Sequence, residues 1–340
     1  MNRILFWCGA CLSLALTGCS PDITVLEKHA TIRYRNLAVP PAVAGTTWLS
    51  VDFVGSATGF VGGENGILLG TTSAGASWQN LSNAALGDIR QLHFSSPGTG
   101  LALTATGLYH TTTGGRTWTR VKYLPYSAIT DVQMLDAATG FLVGEDGLLS
   151  HTTDGGRTWR DYVFAVWPPV NGDFQAVAFA TTQVGLAVGT NQCFRTGNGG
   201  RTWEPVEWPM PARVFDLHLY PNGTDYLVSG VDDLGQAKSF RAMTYDAATR
   251  QYRQVSAQDL LNVPVHDFAQ WQSEVVAVGW KTVLRNFPTY AAQPDVTPWV
   301  NLTGPTGQSL QHVYRSADFA DAATLYAVGE AGTISRFDYH

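Results

Sequence analysis

The stretch "SHTTDGGRTW", Ser150 to Trp159, recurs along this chain. It returns as "HTTTGGRTW" ending at Trp118, as "RTGNGGRTW" ending at Trp203, and in weaker form as "GTTSAGASW" ending at Trp78. Successive tryptophans stand 40, 41 and 44 residues apart. A period near 40 residues marks an array of small supersecondary units, none able to bury its apolar face alone.

The third unit is the clearest. In "AITDVQMLDAATGFLVGEDGLLSHTTDGGRTWRDY", apolar and β-branched runs are cut at "DAATG", "EDG" and "DGG". Those corners hold the residues that tight hairpins need, so four short antiparallel strands follow in order. The first, second and fourth units repeat the plan. The fifth runs from Val214 to Val255, and the sixth from Val265 to Leu302 with Trp299 in the aromatic place. The seventh, from Leu310, stops after three strands. The missing strand is "TIRYRNL", Thr31 to Leu37, because pairing it with the C-terminal strand covers two open sheet edges. The expectation is all-β: a seven-bladed β-propeller of four-stranded antiparallel blades, closed by its N- and C-terminal strands. An open solenoid would want polar capping repeats, and none is seen.

Residues 1–18 read as a lipoprotein signal peptide, 19–30 as a tether and 31–340 as the propeller domain. Arg3 precedes an apolar run from Ile4 to Leu16, too short for a confident membrane span. Leu16-Thr17-Gly18-Cys19 resembles the bacterial lipoprotein box, which implies lipidation at Cys19. Ser20 after it implies sorting to the outer membrane. The expected location is the cell envelope, lipid-anchored and facing the periplasm or the cell surface. Of the four cysteines, Cys8 and Cys11 leave with the signal and Cys193 stands alone, so stability rests on core burial rather than disulfides. The net charge of −6 becomes −7 once Arg3 is removed, which argues against nucleic acid as a partner. Only 14% of residues are charged, whereas glycines number 35 and tryptophans 11, a balance suited to an all-β repeat protein.

The repeated octapeptide reads mostly as a self-fastening turn. Asp154 accepts from backbone N–H groups across its own corner, with Asn198, Thr113 and Ser73 as weaker acceptors in the sister units. Trp78, Trp118, Trp159 and Trp203 place large apolar surfaces between blades. Arg116, Arg157 and Arg201 share one repeat position and are not required by the turn. Strand order puts them on one face, opposite the turns that carry Glu64, Glu145 and Glu330. They are the candidate partner-binding residues, an arc for a carboxylate or acidic segment; solvated turn charges are the plainer reading.

The motif resembles the Asp-box of bacterial sialidases and many other propellers, enzymes and non-enzymes alike. The fuller pattern, "AVG(E)xGxI…T(D)GGRTW" around a ring behind a lipoprotein signal, resembles the photosystem II stability and assembly factor propellers. The likeness is strong over the first four units, partial in the seventh and confined to strand pattern in the fifth and sixth. It implies a non-catalytic, protein-binding assembly scaffold docking through arginines of the Gly-Gly-Arg-Thr-Trp positions. Arg116, Arg157 and Arg201 match these, while Ala76 does not.

The enzymatic alternative is a sialidase-like or other glycoside hydrolase or carbohydrate-binding propeller. It needs arginines converging on a central mouth, and Arg33 and Arg35 in "TIRYR" are the only early pair. His93 and His218 fall on innermost strands beside Asp52 and Gln133, where polar groups line a channel; no short metal-ligand spacing occurs. Cys193 on a strand reads as buried. No catalytic residue, metal or cofactor is expected, and the protein is expected to act as a monomer.

Overall fold

The computed structural model describes residues 32–122, 128–163, 172–189, 192–207, 213–219, 225–231, 237–239, 243–249, 251–254, 265–272, 274–286, 299–301 and 312–339. Cys19 and the expected signal and tether lie outside the described residues. No described helix is long and apolar enough to cross a membrane.

The strands assemble as antiparallel four-stranded blades of a β-propeller. The first sheet comprises Trp48–Phe53, Gly59–Gly63, Leu68–Thr71 and Gln79–Asn80. The second, third and fourth begin with inner strands Ile89–Phe94, Ile129–Met134 and Phe174–Phe179. The sixth begins with Val265–Trp271. In the last sheet, Tyr314–Asp321, Thr324–Gly329 and Ile334–Tyr339 are joined by the N-terminal strand Ile32–Asn36, which pairs Ile32 with Tyr339 and Asn36 with Ser335.

The fifth sheet departs from the plan. Two short strands, Ala237–Ser239 and Met243–Asp246, pair along different halves of Asp225–Val231, and the register slips by one residue between them.

Second strands are buried along their whole length in the first four sheets, as expected for strands covered on both faces. Neighbouring sheets meet through stacked rings: Phe60 on Phe94 at 3.6 Å, Phe141 on Phe179 at 4.4 Å and Phe53 on Tyr326 at 3.8 Å. Each such pair contributes about 0.5–1.5 kcal/mol beyond area burial. The second glycine of each Asp-box presses on the preceding sheet. A Cβ on Gly200, at φ +75, would lie 2.3 Å from Phe141, and one on Gly156, at φ +82, would lie 2.7 Å from Leu101. Glycine is required there for space as well as for backbone conformation.

Inner strands are stitched side by side by side chains. Asp52 accepts from Phe94 N (2.5 Å), Gln91 from Val132 N (3.1 Å) and Asp131 from Val177 N (2.8 Å). Gln175 accepts from Val214 N (2.6 Å), Asp216 from Phe268 N (2.8 Å) and Asp267 from Ala317 N (2.8 Å). Asp318, in the last sheet, accepts from Phe53 N in the first (2.6 Å). Neighbouring twisted sheets cannot continue a backbone ladder, so these side chains satisfy the inner N–H groups instead.

Candidate functional site

In the third unit Asp154 Oδ1 accepts from the Thr158 amide (2.9 Å) and Oδ2 from its hydroxyl (2.6 Å). These bonds, led by the Thr158 hydroxyl, hold the carboxyl down to about 2. Asn198 Oδ1 accepts from Thr202 N (3.0 Å), Thr113 Oγ1 from Thr117 N (2.9 Å) and Ser73 Oγ from Ser77 N (3.0 Å). One turn geometry is therefore built from four different acceptors. The indole N–H groups of Trp118 and Trp159 donate to Gly115 O and Gly156 O, both at 3.0 Å. Trp203 packs edge-on against Phe179 at 5.8 Å, while Trp78 lies against the cluster containing Trp48 and Tyr326.

Arg116, Arg157 and Arg201 are exposed at successive Asp-box turns. Two of them also brace those turns: Arg157 Nη1 donates to Asp154 O (2.9 Å) and Arg116 Nη1 to Thr113 O (3.1 Å). The sequence reading gave the arginines no part in the turn, so this is a correction. The brace uses one nitrogen and pre-sets the guanidinium plane, with further N–H groups left over to donate.

Gly155 N bonds to Ala138 O in the turn between first and second strands (2.8 Å), which fixes the arginine turns at that end of the blade. The glutamate turns occupy the other end, where Glu145 N bonds to Ala128 O and Glu330 N to Val313 O. Two of those glutamates are engaged locally. Glu145 accepts from Ala128 N (2.8 Å) and Glu330 pairs with Arg315 (2.5 Å).

The second polar region is the channel between inner strands, a cavity of about 430 Å³. Every inner strand carries a register shift at the same place, between Trp48 and Ser50, Ile89 and Gln91, and so on to Tyr314 and Ser316. Such a bulge re-aims one extra side chain. Arg90, Thr130, Phe215, His266 and Arg315 reach the cavity from these positions. His266 Nδ1 bonds to Tyr314 O at 2.7 Å.

Burial raises the carboxyls along the channel, Asp52 to about 7 and Asp267 to about 6. Asp131, Asp216 and Asp318 are also raised by burial, and the Asp52 charge adds to the effect on Asp318. His93 and His218 are both lowered to about 4 by burial. Among the described residues no group of three His, Cys, Asp or Glu side chains is placed to hold a metal ion. Sequence reasoning noted Asp52, Gln133 and the two histidines here and missed Asp131, Asp216, Asp267 and Asp318. Asp131, Asp216 and Asp267 stand just past the bulge of their strands, a place periodicity alone does not show, whereas Asp318 shares the place of Asp52 and Gln133 and could have been read with them.

The early arginines of "TIRYR" do not reach this mouth. Arg33 and Arg35 are exposed on the outermost strand of the last sheet. Cys193 is buried, and burial pushes its thiol well up.

Residues 123–214 match the family model of the photosynthesis system II assembly factor YCF48. The chain is similar to the YCF48-type propellers. A solved structure of YCF48 bound to D1 peptide superposes with a TM-score of 0.65 at 16% identity, covering 92% of this chain and 96% of that one. YCF48 from Cyanidioschyzon merolae gives 0.65 at 15% identity, covering 90% and 98%. A catalytically inactive virginiamycin B lyase from Staphylococcus aureus, with quinupristin, gives 0.66 at 12%, covering 90% and 99%. At such identities the superpositions establish the propeller fold, which is shared by a YCF48 and an enzyme. No curated protein matches the sequence.

Proposed function

We propose that this chain is a non-catalytic, lipid-anchored propeller that docks an acidic segment of a protein partner on its arginine-bearing face. The observation that carries this reading is the placement of Arg116, Arg157 and Arg201. They stand exposed on neighbouring blades, two of them with the guanidinium pre-set by a bond to its own turn. A row of oriented guanidinium forks suits carboxylates. The YCF48 match over residues 123–214, which spans Arg157 and Arg201, supports it.

The frame for that face is a seven-bladed ring closed by the terminal strands. The pairing of Ile32–Asn36 with Ile334–Tyr339 and the Phe53-to-Asp318 bond between first and last sheets support closure. The anchor is lipid on Cys19, placing the propeller at the cell envelope. Diacylglyceryl mass on the Cys19 peptide, and release of a Cys19→Ser variant into the soluble fraction, test this part.

Charge reversal tests the docking. Arg116→Glu, Arg157→Glu and Arg201→Glu together abolish capture of the partner retained by the wild-type chain, while the fold is kept and melting drops only by the small amount the two lost turn braces supply. Equal capture by both proteins contradicts the reading. A carbohydrate-active alternative draws on the channel carboxylates. They are, however, committed to inter-blade N–H bonds, and release of dye from fluorogenic sialosides or β-glucosides by the purified chain would be needed to revive it.

A further inference from the structure

The bulges of the inner strands set one extra residue each around the channel mouth, at its glutamate-turn end. Trp48 pairs with Gly63 just before Glu64, and Tyr314 with Gly329 just before Glu330, and the bulge follows at once. Three of these extra residues are spent on the next blade. Thr130 Oγ1 donates to Phe174 O (2.8 Å), Gln175 Oε1 accepts from Val214 N (2.6 Å) and His266 Nδ1 bonds to Tyr314 O (2.7 Å). Two arginines are not. Among the described residues Arg90 has no hydrogen-bond or ion-pair partner, and it stands exposed. Arg315 is held by Glu330 through Nη2 (2.5 Å), which leaves Nη1 to donate.

Leu49 is the extra residue of the first sheet, so Arg315, Leu49 and Arg90 follow one another on the last, first and second inner strands. Those strands are stitched side by side through Asp318 and Asp52. The two guanidinium groups therefore flank one side of the cavity of about 430 Å³ that all three residues line. That volume lies within the range of small-molecule sites, but the walls are mostly polar and an apolar group gains little by entering. Deeper along the same strands stand the carboxyls of Asp52 and Asp318. Burial raises both, Asp52 to about 7, so below neutrality they hold protons and offer donors rather than negative charge. The rim glutamates do not line the cavity.

We propose that this mouth is a binding site for a small hydrophilic polycarboxylate, held between Arg90 and Arg315. Each guanidinium fork takes one carboxylate. The first inner strand separates the two arginines, so a ligand with carboxylates at both ends engages both, whereas a compact anion such as phosphate engages one. The site is separate from the Asp-box arginines, which lie at the other end of the blades, and it does not depend on the docking reading.

The test is calorimetric titration of the purified chain with citrate, inorganic phosphate and xylitol, at low ionic strength and slightly below neutrality. The wild-type chain binds citrate about tenfold tighter than phosphate, as one further charge-assisted contact gives, and takes up no xylitol. Arg90→Gln and Arg315→Gln each weaken citrate about tenfold, with the chain still folded by its melting curve. Arg90→Gln decides the matter if Arg315→Gln, which also breaks the Glu330 pair, melts early. Arg116→Glu, Arg157→Glu and Arg201→Glu together leave citrate binding as it was. Citrate binding unchanged in both glutamine variants, phosphate bound as tightly as citrate, or no citrate binding at about 10 mM overturns the site. Citrate binding lost in the Asp-box triple variant but kept in Arg90→Gln puts the anion on the opposite face, which overturns this site and leaves the docking reading standing.

Discussion

Replacing Asp154 with alanine removes the acceptor of both the Thr158 amide and hydroxyl, while the bonds of Arg157 to residue 154 O, of Gly156 N to Thr152 and of the Trp159 indole to Gly156 O still brace that turn. The expected loss, at an exposed turn, is about 0.5–1.5 kcal/mol, read by urea melts. Asp154→Asn, which copies the Asn198 arrangement, restores most of it. A loss in Asp154→Asn equal to that in Asp154→Ala would mean that charge rather than acceptor geometry holds the corner. Gly200→Ala costs more, about 1–3 kcal/mol, because positive φ and the Phe141 ring both oppose a methyl group. Gly197→Ala, nearby but free of both constraints, serves as its neutral control. At this scale the sequence was informative where chemistry repeats. The acceptor role of Asp154 and its substitutes could be read from the aligned octapeptides. The bracing bonds of Arg116 and Arg157 could not, since they depend on how a long side chain folds back over its turn.

The element that matters most to the channel is the bulged inner strand. It presents polar side chains to the next blade, such as Asp131 and Gln133 from the third sheet, and swings a neighbour such as Arg90 or His266 toward the mouth. Asp52 and Asp267 are raised from 3.8 to about 7 and about 6, so the folded chain holds protons more tightly than the unfolded one. Their stabilisation is therefore fully present below about pH 4 and lost as pH rises through 6 and 7. Asp154, held low, acts in the opposite sense, and its contribution fades only as pH falls from 3.8 toward 2. Thermal melts should accordingly show a falling midpoint between pH 4 and pH 7. Asp52→Asn, which keeps an acceptor for Phe94 N, should flatten that fall. An unchanged slope in Asp52→Asn would remove Asp52 as its source. The strands themselves were legible as short β-runs between glycine corners. The bulges were not, because one extra residue per strand looks like ordinary spacing variation, and the split third strand of the fifth sheet carried no turn signature.

At the scale of the molecule, the blade pattern followed from a repeat near 40 residues, and the N-terminal strand was assignable because the C-terminal unit lacked its fourth. Deleting residues 32–36 uncovers the edge of Ile334–Tyr339 and should lower the melting midpoint by more than about 5 °C. A truncated chain melting with the intact one would leave the terminal strand without a closing role. The arginines proposed to dock a partner were legible because they are written into the repeat. The most direct measurement of the docking claim is hydrogen exchange of the chain with and without its captured partner. The account predicts new protection at the Asp-box turns 113–117, 154–158 and 198–202, with the glutamate turns and channel strands unchanged. Protection confined to the channel mouth around Arg90, Phe215 and His266, with the Asp-box turns unaffected, would contradict it.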